Sequence, residues 1–202
     1  MQEFIRIYRE EFYMIITIAR ESGSGGHEIG KKLAEHYHLP LYDKEILVEK
    51  AKEKGILDEM ESFFSEKPMN SLLYAIAIEN GTDQSWHKEF DILKSLIEEE
   101  SFVLIGRCGN YIYQDRDDCL SFFLHSDRTH RVQRTMELQK LNEKKASRLI
   151  DEVDDKRSTF HKYYTGEHWG DGRNYTMCLD TDRIGEEHTL KVLIDYIDSA
   201  VR

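Results

Sequence analysis

The chain has 202 residues, of which 40% are hydrophobic and only 2 are prolines, so its composition is not that of a disordered protein. At ~150 residues per domain, this length predicts one domain with an insertion or two small ones. Its 39 acidic and 28 basic residues give a net charge of −11, which argues against a nucleic-acid polymer as partner. A small phosphate ligand is not excluded, because a local group of arginines can override the net sign.

Cysteine usage and hydropathy indicate the cellular compartment. The three cysteines, Cys108, Cys119 and Cys178, are widely spaced and form no CxxC pair, which favours a reducing cytosol. No run reaches the ~18 apolar residues of a membrane span, and the N-terminus lacks the apolar stretch of a signal peptide. We therefore expect a cytoplasmic protein without a membrane partner.

A strand, a glycine-rich loop and a helix begin the ordered part of the chain. Met14–Ala19 is a nearly continuous β-branched run, which is typical of a strand buried on both faces of a parallel sheet. The loop Arg20–Gly26 follows, and His27–His38 has apolar residues at helical spacing. This order is the first half of a βαβ unit.

The later segments continue the alternation of strands and helices. Residues 57–100 are predicted to be helical and acidic, with a break at Asn80-Gly81, and residues 163–174 are predicted to form a mobile loop. No linker divides the chain, so we expect a single three-layer α/β domain over 1–202 with a parallel sheet. The further predicted strands are Leu39–Tyr42, Phe102–Ile105, Leu120–His125 and Thr176–Leu179, and further helices cover Lys44–Lys54, Arg128–Tyr164 (broken near Asn142) and the C-terminus.

The loop after the first strand has the composition of a phosphate-binding loop. Glycines in this position let backbone N–H groups turn towards a phosphate, and the following helix adds its positive N-terminal end. The alternative is a plain glycine turn, which the Gly-Ser-Gly-Gly run makes less favoured. The residues predicted to bind the phosphates of ATP are Ser22, Gly23, Ser24, Gly25, Gly26, His27 and Glu28.

This loop departs from the pattern G-x-x-x-x-G-K-[ST]. In one register His27 holds the lysine position, and in the other Arg20 holds the first glycine position and Gly26 the lysine position. Both registers lack the lysine that binds the β- and γ-phosphates and the hydroxyl that binds Mg²⁺. Candidates to compensate are Arg20, Lys31 and Lys32, and we expect Arg20 to contribute more than the mostly neutral imidazole of His27.

Charged residues follow the predicted strands. In an open parallel sheet the carboxyl ends of the strands line the ligand crevice. Asp43 follows the second strand, Gly106-Arg107 the third and Asp180 the fifth. A guanidinium suits two-pronged contact with a phosphate. We therefore predict that Asp43 and Arg107 bind the acceptor, the molecule that would receive a phosphoryl group. The alternative for Arg107 is an ordinary surface arginine.

Further arginines are spaced for one helical face. Arg128, Arg131 and Arg134 recur every three residues, and Arg157 lies further along. Phosphoryl transfer needs cations over the equatorial oxygens of the transferred group. We predict catalytic roles for Arg20, Arg128, Arg131 and Arg157, and an arginine-rich lid over about 128–175. A solvated helix face is the alternative. No histidine or cysteine spacing indicates a metal centre, so the residues of a metal site stay unknown.

These motifs resemble the cytidylate kinase-like family, a branch of the nucleoside monophosphate kinases with the P-loop fold. The resemblance covers most of the chain from Met14 to Leu179 and is weaker over 57–100. It is carried by Ile15, Thr17 to Arg20, Gly23 to Gly26, Glu28-Ile29, Leu33-Ala34, Tyr42 to Glu45, Gly106-Arg107, Lys162 to Tyr164, Trp169 to Asp171 and Asn174-Tyr175. Typical members have Asp after Gly-Arg, where this chain has Cys108.

The resemblance implies a P-loop kinase core with five parallel strands in the order 2-3-1-4-5 and a helical lid. It implies transfer of a phosphoryl group from ATP, with Mg²⁺, to CMP or dCMP, so small-molecule nucleotides are the expected partners. Residues 57–100 would bind the acceptor, and Asp154 with Arg157 resembles the lid. Two alternatives remain: a kinase of another small metabolite, and a nucleotide-binding protein that has lost transfer. The oligomeric state is not predicted.

Overall fold

The computed structural model describes residues 13–66 and 86–201 of the chain. Its strands are β1 (Ile15–Arg20), β2 (Leu41–Tyr42), β3 (Phe102–Ile105), β4 (Cys119–His125) and β5 (Met177–Asp180). Its α-helices are α1 (Gly26–Tyr37), α2 (Lys44–Glu53), α3 (Leu57–Ser65), α4 (Trp86–Leu96), α5 (Gly109–Ile112), α6 (Arg128–Gln139), α7 (Glu143–Thr165) and α8 (Thr181–Ala200). A short 3-10 turn covers Gly172–Asn174. Among these helices none is long and apolar enough to span a bilayer.

The five strands form one parallel sheet in the order β2-β3-β1-β4-β5. This confirms the expected three-layer P-loop kinase architecture and strand order. Strand β1 lies at the centre, where Ile15 pairs with Phe102 on one side and with Cys119 on the other. The ends of β1 and β3 therefore lie side by side, which brings Arg20 close to Gly106 and Arg107.

Alternation of side chains along the central strands divides the core into two layers. Ile15 and Phe102 pack against helices α2, α3 and α4 on one face. Ile16 and Val103 pack against α1 and α8 on the other. Such burial on both faces is the reason that these strands read as continuous apolar runs.

The predicted element bounds hold to within one or two residues in most cases. Helix α7 ends at Thr165, within one residue of the predicted end at Tyr164, whereas the start predicted for the following loop, at residue 163, was wrong. The reason is tertiary packing: the Phe160 and Tyr164 rings contact Phe63 at centroid distances of 5.2 and 5.1 Å. The predicted break at Asn80-Gly81 lies outside the described residues.

Helices α6 and α7 form a hairpin with local caps and a small core of its own. The Asp127 carboxylate accepts from the Thr129 amide at 2.8 Å, and the Asn142 side chain accepts from the Lys145 amide at 3.0 Å. The second cap confirms the predicted helix start at Asn142. Val132, Ala146 and Ile150 pack between the two helices. Only the second half of α7 reaches the main core, so the predicted lid region of 128–175 consists of an outer hairpin and a core-packed part.

Candidate functional site

A cavity of about 380 Å³ opens at the carboxyl ends of β1 and β3, between the glycine loop and α7. Cationic side chains outnumber carboxylates in its lining by five to two, whereas the chain as a whole has a net charge of −11. A concave, locally positive site of this kind attracts anionic ligands. The lining residues are Arg20, His27, Lys44, Glu45, Ser65, Glu66, Arg107, Val153, Lys156 and Arg157.

The glycine loop ends in an open helix N-terminus. Gly25 is the N-cap of α1 with a φ of 82°, a backbone conformation that favours glycine, and no described side chain caps the helix. The first amide groups of α1 therefore retain their capacity to bind an anion, which the helix dipole also favours. A helix that begins at Gly26 corresponds to the register in which Gly26 holds the lysine position and Arg20 the first glycine position.

The loop is anchored to the elements around it. The Ser24 hydroxyl donates to the Glu21 carbonyl at 2.9 Å, and the Thr181 hydroxyl donates to the Ser24 carbonyl at 2.7 Å. The Ser22 amide donates to Asp154 Oδ1 of α7 at 2.7 Å. These bonds hold the loop conformation before any ligand arrives. They also assign the Ser24 side chain and the Ser22 amide to the support of the loop, together with the Ser24 amide, which donates to the Glu21 carbonyl at 3.3 Å.

Arg131 supports the same loop from α6. Its guanidinium is buried, donates to the Ser22 carbonyl at 3.1 Å and pairs with Asp154 at 2.5 Å. It also lies 3.2 Å from the Glu21 carboxylate. Arg131 is therefore a positioning residue for the loop in this structure and does not line the cavity. Arg128 is exposed, pairs with Asp151 at 2.7 Å and also lies outside the cavity lining.

Arg20 lies across the start of α1. A Cβ atom at Gly26 would lie 2.6 Å from Arg20 Cβ, and a Cβ atom at Gly106 would lie 2.6 Å from Arg20 Nη1. The Arg20 side chain thus occupies the space that side chains at both glycine positions would need. Burial and the neighbouring guanidiniums of Arg157 and Arg107 lower the pKa of Arg20 to about 9, which leaves it a cation at pH 7.

His27 and Glu28 contribute little charge to phosphate binding. Burial, helped by Lys31 and Arg20, lowers the pKa of His27 below its ordinary value, so the imidazole is neutral at pH 7. Its Nε2 lies 3.6 Å from the Asp43 carboxylate. The Glu28 side chain is half exposed and lies 3.8 Å from Lys31 Nζ. Both residues remain candidates only through their backbone amides.

Arg107 is brought to the cavity by an unusual turn. Gly106, Arg107 and Cys108 all have positive φ angles, of 78°, 55° and 56°. Two non-glycine residues in the left-handed region store strain, which is common at functional sites. The Arg107 guanidinium is only 4% exposed, so the alternative of a surface arginine is wrong.

The partners of Arg107 come from α3. Its Nη1 donates to the carbonyls of Phe63 and Phe64 at 2.7 and 3.1 Å, and Nη2 pairs with Glu66. The guanidinium also stacks 5.2 Å from the centre of the Phe160 ring. The predicted acceptor anchor is therefore held by a carboxylate of the protein in this structure, and its Nε is buried without a partner among the described residues.

The other predicted strand-end residues differ in position. Asp43 is buried and its Oδ1 accepts from the Ile46 amide at 3.0 Å, which caps α2. Its Oδ2 faces His27 at the start of α1. Arg157 lines the cavity, and its Nη1 donates to the Arg20 carbonyl at 3.1 Å. Asp180 caps α8 through the Asp182 amide at 3.1 Å and does not line the cavity.

Sequence reasoning missed Glu66 and Lys44. Glu66 lies 41 residues before its partner Arg107, and no local pattern signals a contact across that separation. Lys44 directly follows Asp43 at the end of β2, so the strand-end argument that selected Asp43 could have found it. Among the described residues, no group of three or more metal-ligating side chains is present.

This chain is similar to known proteins in sequence and in fold. A curated cytidylate kinase from Methanopyrus kandleri is 26% identical over 195 residues, which cover 92% of this chain and 93% of that one. A solved structure of an uncharacterized protein from Eubacterium ventriosum is 34% identical, with a TM-score of 0.71 over 92% of this chain and 99% of that chain. A gluconokinase from Sinorhizobium meliloti, 12% identical with a TM-score of 0.57 over 95% of both chains, shares the fold alone.

The family comparison covers nearly the whole described chain. The profile described as the cytidylate kinase-like family matches residues 15–183, which include all five strands, the glycine loop and the α6–α7 hairpin. This match confirms the resemblance on which the strand order was predicted. The chain therefore belongs to the cytidylate kinase-like family.

Proposed function

We propose that the protein transfers the terminal phosphoryl group of ATP to a nucleoside monophosphate, with CMP or dCMP as the acceptor. The observation that carries this proposal is the cavity at the ends of β1 and β3, where an open helix N-terminus meets five cationic side chains. Family membership and the cytidylate kinase relative support the reaction class and the acceptor. A reducing cytosol is the proposed place of action, as the cysteine spacing indicates.

The residues of the cavity divide between the two substrates. Amides of Gly23 and of residues 25–28 bind the phosphates of ATP. Arg107, Arg157 and Lys44 surround the acceptor phosphate, since all three are cations that line the cavity. Arg131 and Asp154 keep the loop in position. We propose that Arg128 acts after movement of the hairpin, because it lies outside the cavity.

The transfer itself needs no protein base. An oxygen of the acceptor phosphate attacks the γ-phosphorus, and a new P–O bond forms as the bond to the β,γ-bridging oxygen breaks. The electron pair of that bond stays on the bridging oxygen, which becomes a terminal oxygen of ADP. The attacking oxygen is already anionic near neutral pH, so positioning and charge carry the catalysis.

Mg²⁺ fits the chemistry of the site through phosphate oxygens and one carboxylate. Asp43 Oδ2 faces the start of α1, and Mg²⁺ is commonly held by one or two carboxylates together with substrate phosphates and water. When bound, the ion would neutralise charge on the β- and γ-phosphates. We propose Asp43 as its protein contact, in addition to the cap that Asp43 provides to α2.

One observation favours a second acceptor class. Arg107 binds the carboxylate of Glu66 in the described structure. The same guanidinium could therefore bind a carboxylate of the acceptor in the position proposed for the acceptor phosphate. A small metabolite that carries a carboxylate and a hydroxyl is therefore the second candidate.

A panel of acceptors tests the proposal. ADP release from ATP–Mg²⁺ would be measured with CMP, dCMP, the other nucleoside monophosphates and small hydroxy acids, beside calorimetric titration of each ligand. We expect turnover with CMP or dCMP well above that with UMP or AMP. Turnover only with a hydroxy acid would select the second candidate. Nucleotide binding without turnover for any acceptor would contradict the enzyme and identify a binding protein that has lost transfer.

A further inference from the structure

We propose that Arg20 takes the role of the lysine that the glycine loop lacks, and that Gly26 and Gly106 are the two positions that make room for it. The cation that contacts the terminal phosphate would thus come from the end of β1 instead of the start of α1. This inference rests on the proposed function, which it refines by naming the cation at the transferred group.

The first support is steric. A side chain at residue 26 would place its Cβ 2.6 Å from Arg20 Cβ and 3.0 Å from Arg20 Cγ. Two tetrahedral carbons that are not bonded to each other cannot approach so closely, and neither is the flexible end of a side chain. Residues 20 and 26 therefore cannot both have side chains in this backbone. The usual pattern has glycine first and lysine second, and this chain has the reverse.

The second support is the position of the guanidinium. Arg20 Nη1 would lie only 2.6 Å from a Cβ atom added at Gly106. The guanidinium therefore extends across the end of β3 and lines the cavity. Arg157 and Arg107 each lower the pKa of Arg20 by more than the carboxylates of Glu66 or Glu45 raise it. Three guanidiniums line the cavity beside the glycine loop and, within the described part of the chain, only Arg107 among them has an ion pair, with Glu66, so the site favours an added anion.

The third support is that the two lysines of α1 and the other two cavity guanidiniums are engaged by protein groups. Lys32 pairs with Glu186 at 2.9 Å and Lys31 with Glu28 at 3.8 Å, and neither lysine lines the cavity. Arg107 is held by Glu66 and by two carbonyls of α3. Arg157 has no ion pair within 4 Å among the described residues, but its Nη1 donates to the Arg20 carbonyl at 3.1 Å. Of the three cavity guanidiniums, Arg20 is the one whose side chain has neither an ion pair nor a hydrogen bond within residues 13–66 and 86–201, so it is free to meet an incoming phosphate.

In the reaction, Arg20 neither gains nor loses a proton. Its guanidinium would contact the γ-phosphate and the bridging oxygen while the P–O bond to that oxygen breaks, and would stabilise the charge that develops there. This is a catalytic contact, so its loss should lower kcat more than it raises the KM for ATP.

The test exploits the reversal of the two positions. Arg20→Met keeps the stem that packs beside Gly26 and removes the charge. Arg20→Gly with Gly26→Lys restores the usual order of the pattern. Arg20→Met with Gly26→Lys is the matched control, because it leaves a Cβ at residue 20 to collide with the new lysine. Each variant would be checked by thermal unfolding, by calorimetry with inorganic tripolyphosphate and Mg²⁺, and by turnover with the best acceptor.

We expect Arg20→Met to weaken tripolyphosphate binding about tenfold, as loss of one charge-assisted contact implies, and to lower kcat by more than that. His27→Ala should have a smaller effect on both. The glycine–lysine double variant should regain affinity and turnover relative to Arg20→Gly, and the methionine–lysine control should be less stable and regain neither.

Tripolyphosphate separates this inference from the proposed function, because it needs no acceptor. Wild-type protein that binds tripolyphosphate through Arg20 but turns over no acceptor would retain the inference and contradict the kinase. Unchanged tripolyphosphate affinity and kcat in Arg20→Met would overturn the inference even in an active kinase. A folded double variant no better than Arg20→Gly would overturn the exchange of positions.

Discussion

At the scale of single residues, two arginines of the cavity, Arg107 and Arg157, bind other groups of the protein, and we propose that both also bind ligands. Arg107 is the strongest case, since it binds two carbonyls at the end of α3 and the Glu66 carboxylate while its Nε remains unpartnered among the described residues. A buried guanidinium with a single carboxylate partner is a ready site for exchange of one anion for another. Acceptor binding at Arg107 would then require that Glu66 move away.

Substitution of Arg107 and Glu66 tests this exchange. Arg107→Ala should raise the acceptor KM by about tenfold or more and change the ATP KM little, because the guanidinium is proposed to contact the acceptor and not ATP. It should also destabilise the protein by about 3 kcal/mol, since the Glu66 carboxylate, only 15% exposed, loses its partner. Glu66→Gln should lower the acceptor KM, as it removes the competing charge and keeps an oxygen acceptor. Steady-state kinetics and urea unfolding measure both effects.

Equal effects of Arg107→Ala on the two KM values would contradict the placement of the acceptor. An acceptor KM that rises in Glu66→Gln would show that Glu66 itself binds the acceptor. Glu152→Gln, at a half-exposed carboxylate that pairs with Arg148 on the solvent side of α7, is the matched control and should leave both constants unchanged.

At the scale of elements, the glycine loop between β1 and α1 has a fixed conformation. The left-handed φ of Gly25 and the bonds from Thr181 and Asp154 hold the loop without a ligand. Preorganised donors of this kind need no reordering when an anion binds. Loss of the loop geometry should therefore remove nucleotide binding even when the core is intact.

Gly25→Val tests the loop. A β-branched residue is strained at a φ of 82°, and its side chain would also approach the Arg134 guanidinium, 3.4 Å from an added Cβ. We expect nucleotide binding by calorimetry to be lost while thermal unfolding stays cooperative. Gly55→Val is the matched control, because Gly55 also has a positive φ of 68° but nothing lies within 4 Å of an added Cβ. Wild-type ATP affinity in Gly25→Val would contradict the loop assignment.

The α6–α7 hairpin is the element expected to move. Its outer part has a separate small core of Val132, Ala146 and Ile150, and Asp154 connects it to the phosphate loop. The second half of α7 is fixed by the aromatic cluster around Phe63. Trp169, which follows it, packs against Phe123 at 5.3 Å. Closure of the hairpin over bound substrates would exclude water and bring its arginines closer.

Hydrogen exchange locates this movement. With ATP–Mg²⁺ and acceptor bound together, exchange should slow across residues 128–153 and change little across 160–175, because the latter is already packed. A Trp86→Phe variant isolates Trp169 fluorescence, which should shift only slightly under the same conditions. Slowing confined to 160–175, or none in either range, would contradict a hinged hairpin.

At the scale of the whole molecule, a strongly acidic chain encloses a basic cavity and a buried histidine. His161 on α7 is 3% exposed, and its Nε2 lies 3.4 Å from the Glu167 carboxylate. Burial lowers the pKa of His161 to about 4. In the unfolded chain the same imidazole titrates near ~6.5. Between these two values the unfolded state binds a proton that the folded state does not, so stability falls as pH falls.

The free energy of unfolding should therefore decrease by about 2 kcal/mol between pH 7 and pH 5 from His161 alone. Glu167 opposes part of this change, because burial raises its pKa and the folded state then holds a proton more tightly than the unfolded state. Urea unfolding at both pH values measures the difference. His161→Gln should flatten the dependence, and His188→Gln, at an exposed histidine, should not. If the free energy of unfolding changed equally with pH in wild type and in His161→Gln, the pH dependence could not be attributed to His161.

Local sequence patterns determined much of this protein. The β-branched run of β1, the glycines of the loop and the cap at Asn142 act through neighbours within a few residues, so their effects are readable in order along the chain. The strand order followed from the family resemblance carried by the same segments, and the sheet confirmed it. Arg20 and Arg157, for which catalytic roles were predicted, both line the cavity, and those roles stay predictions.

Only the tertiary structure decided what those charged side chains contact. Arg131 contacts Ser22 across 109 residues, and Arg107 contacts Glu66 across 41. Spacing along a helix specifies which face a side chain is on but not which distant element packs there. The same holds for the exclusion between residues 20 and 26, where a distance of 2.6 Å depends on how the end of β1 passes the start of α1. The sequence shows that Gly26 stands at the lysine position. Only the packing shows that the Arg20 side chain occupies the space that a side chain at residue 26 would need.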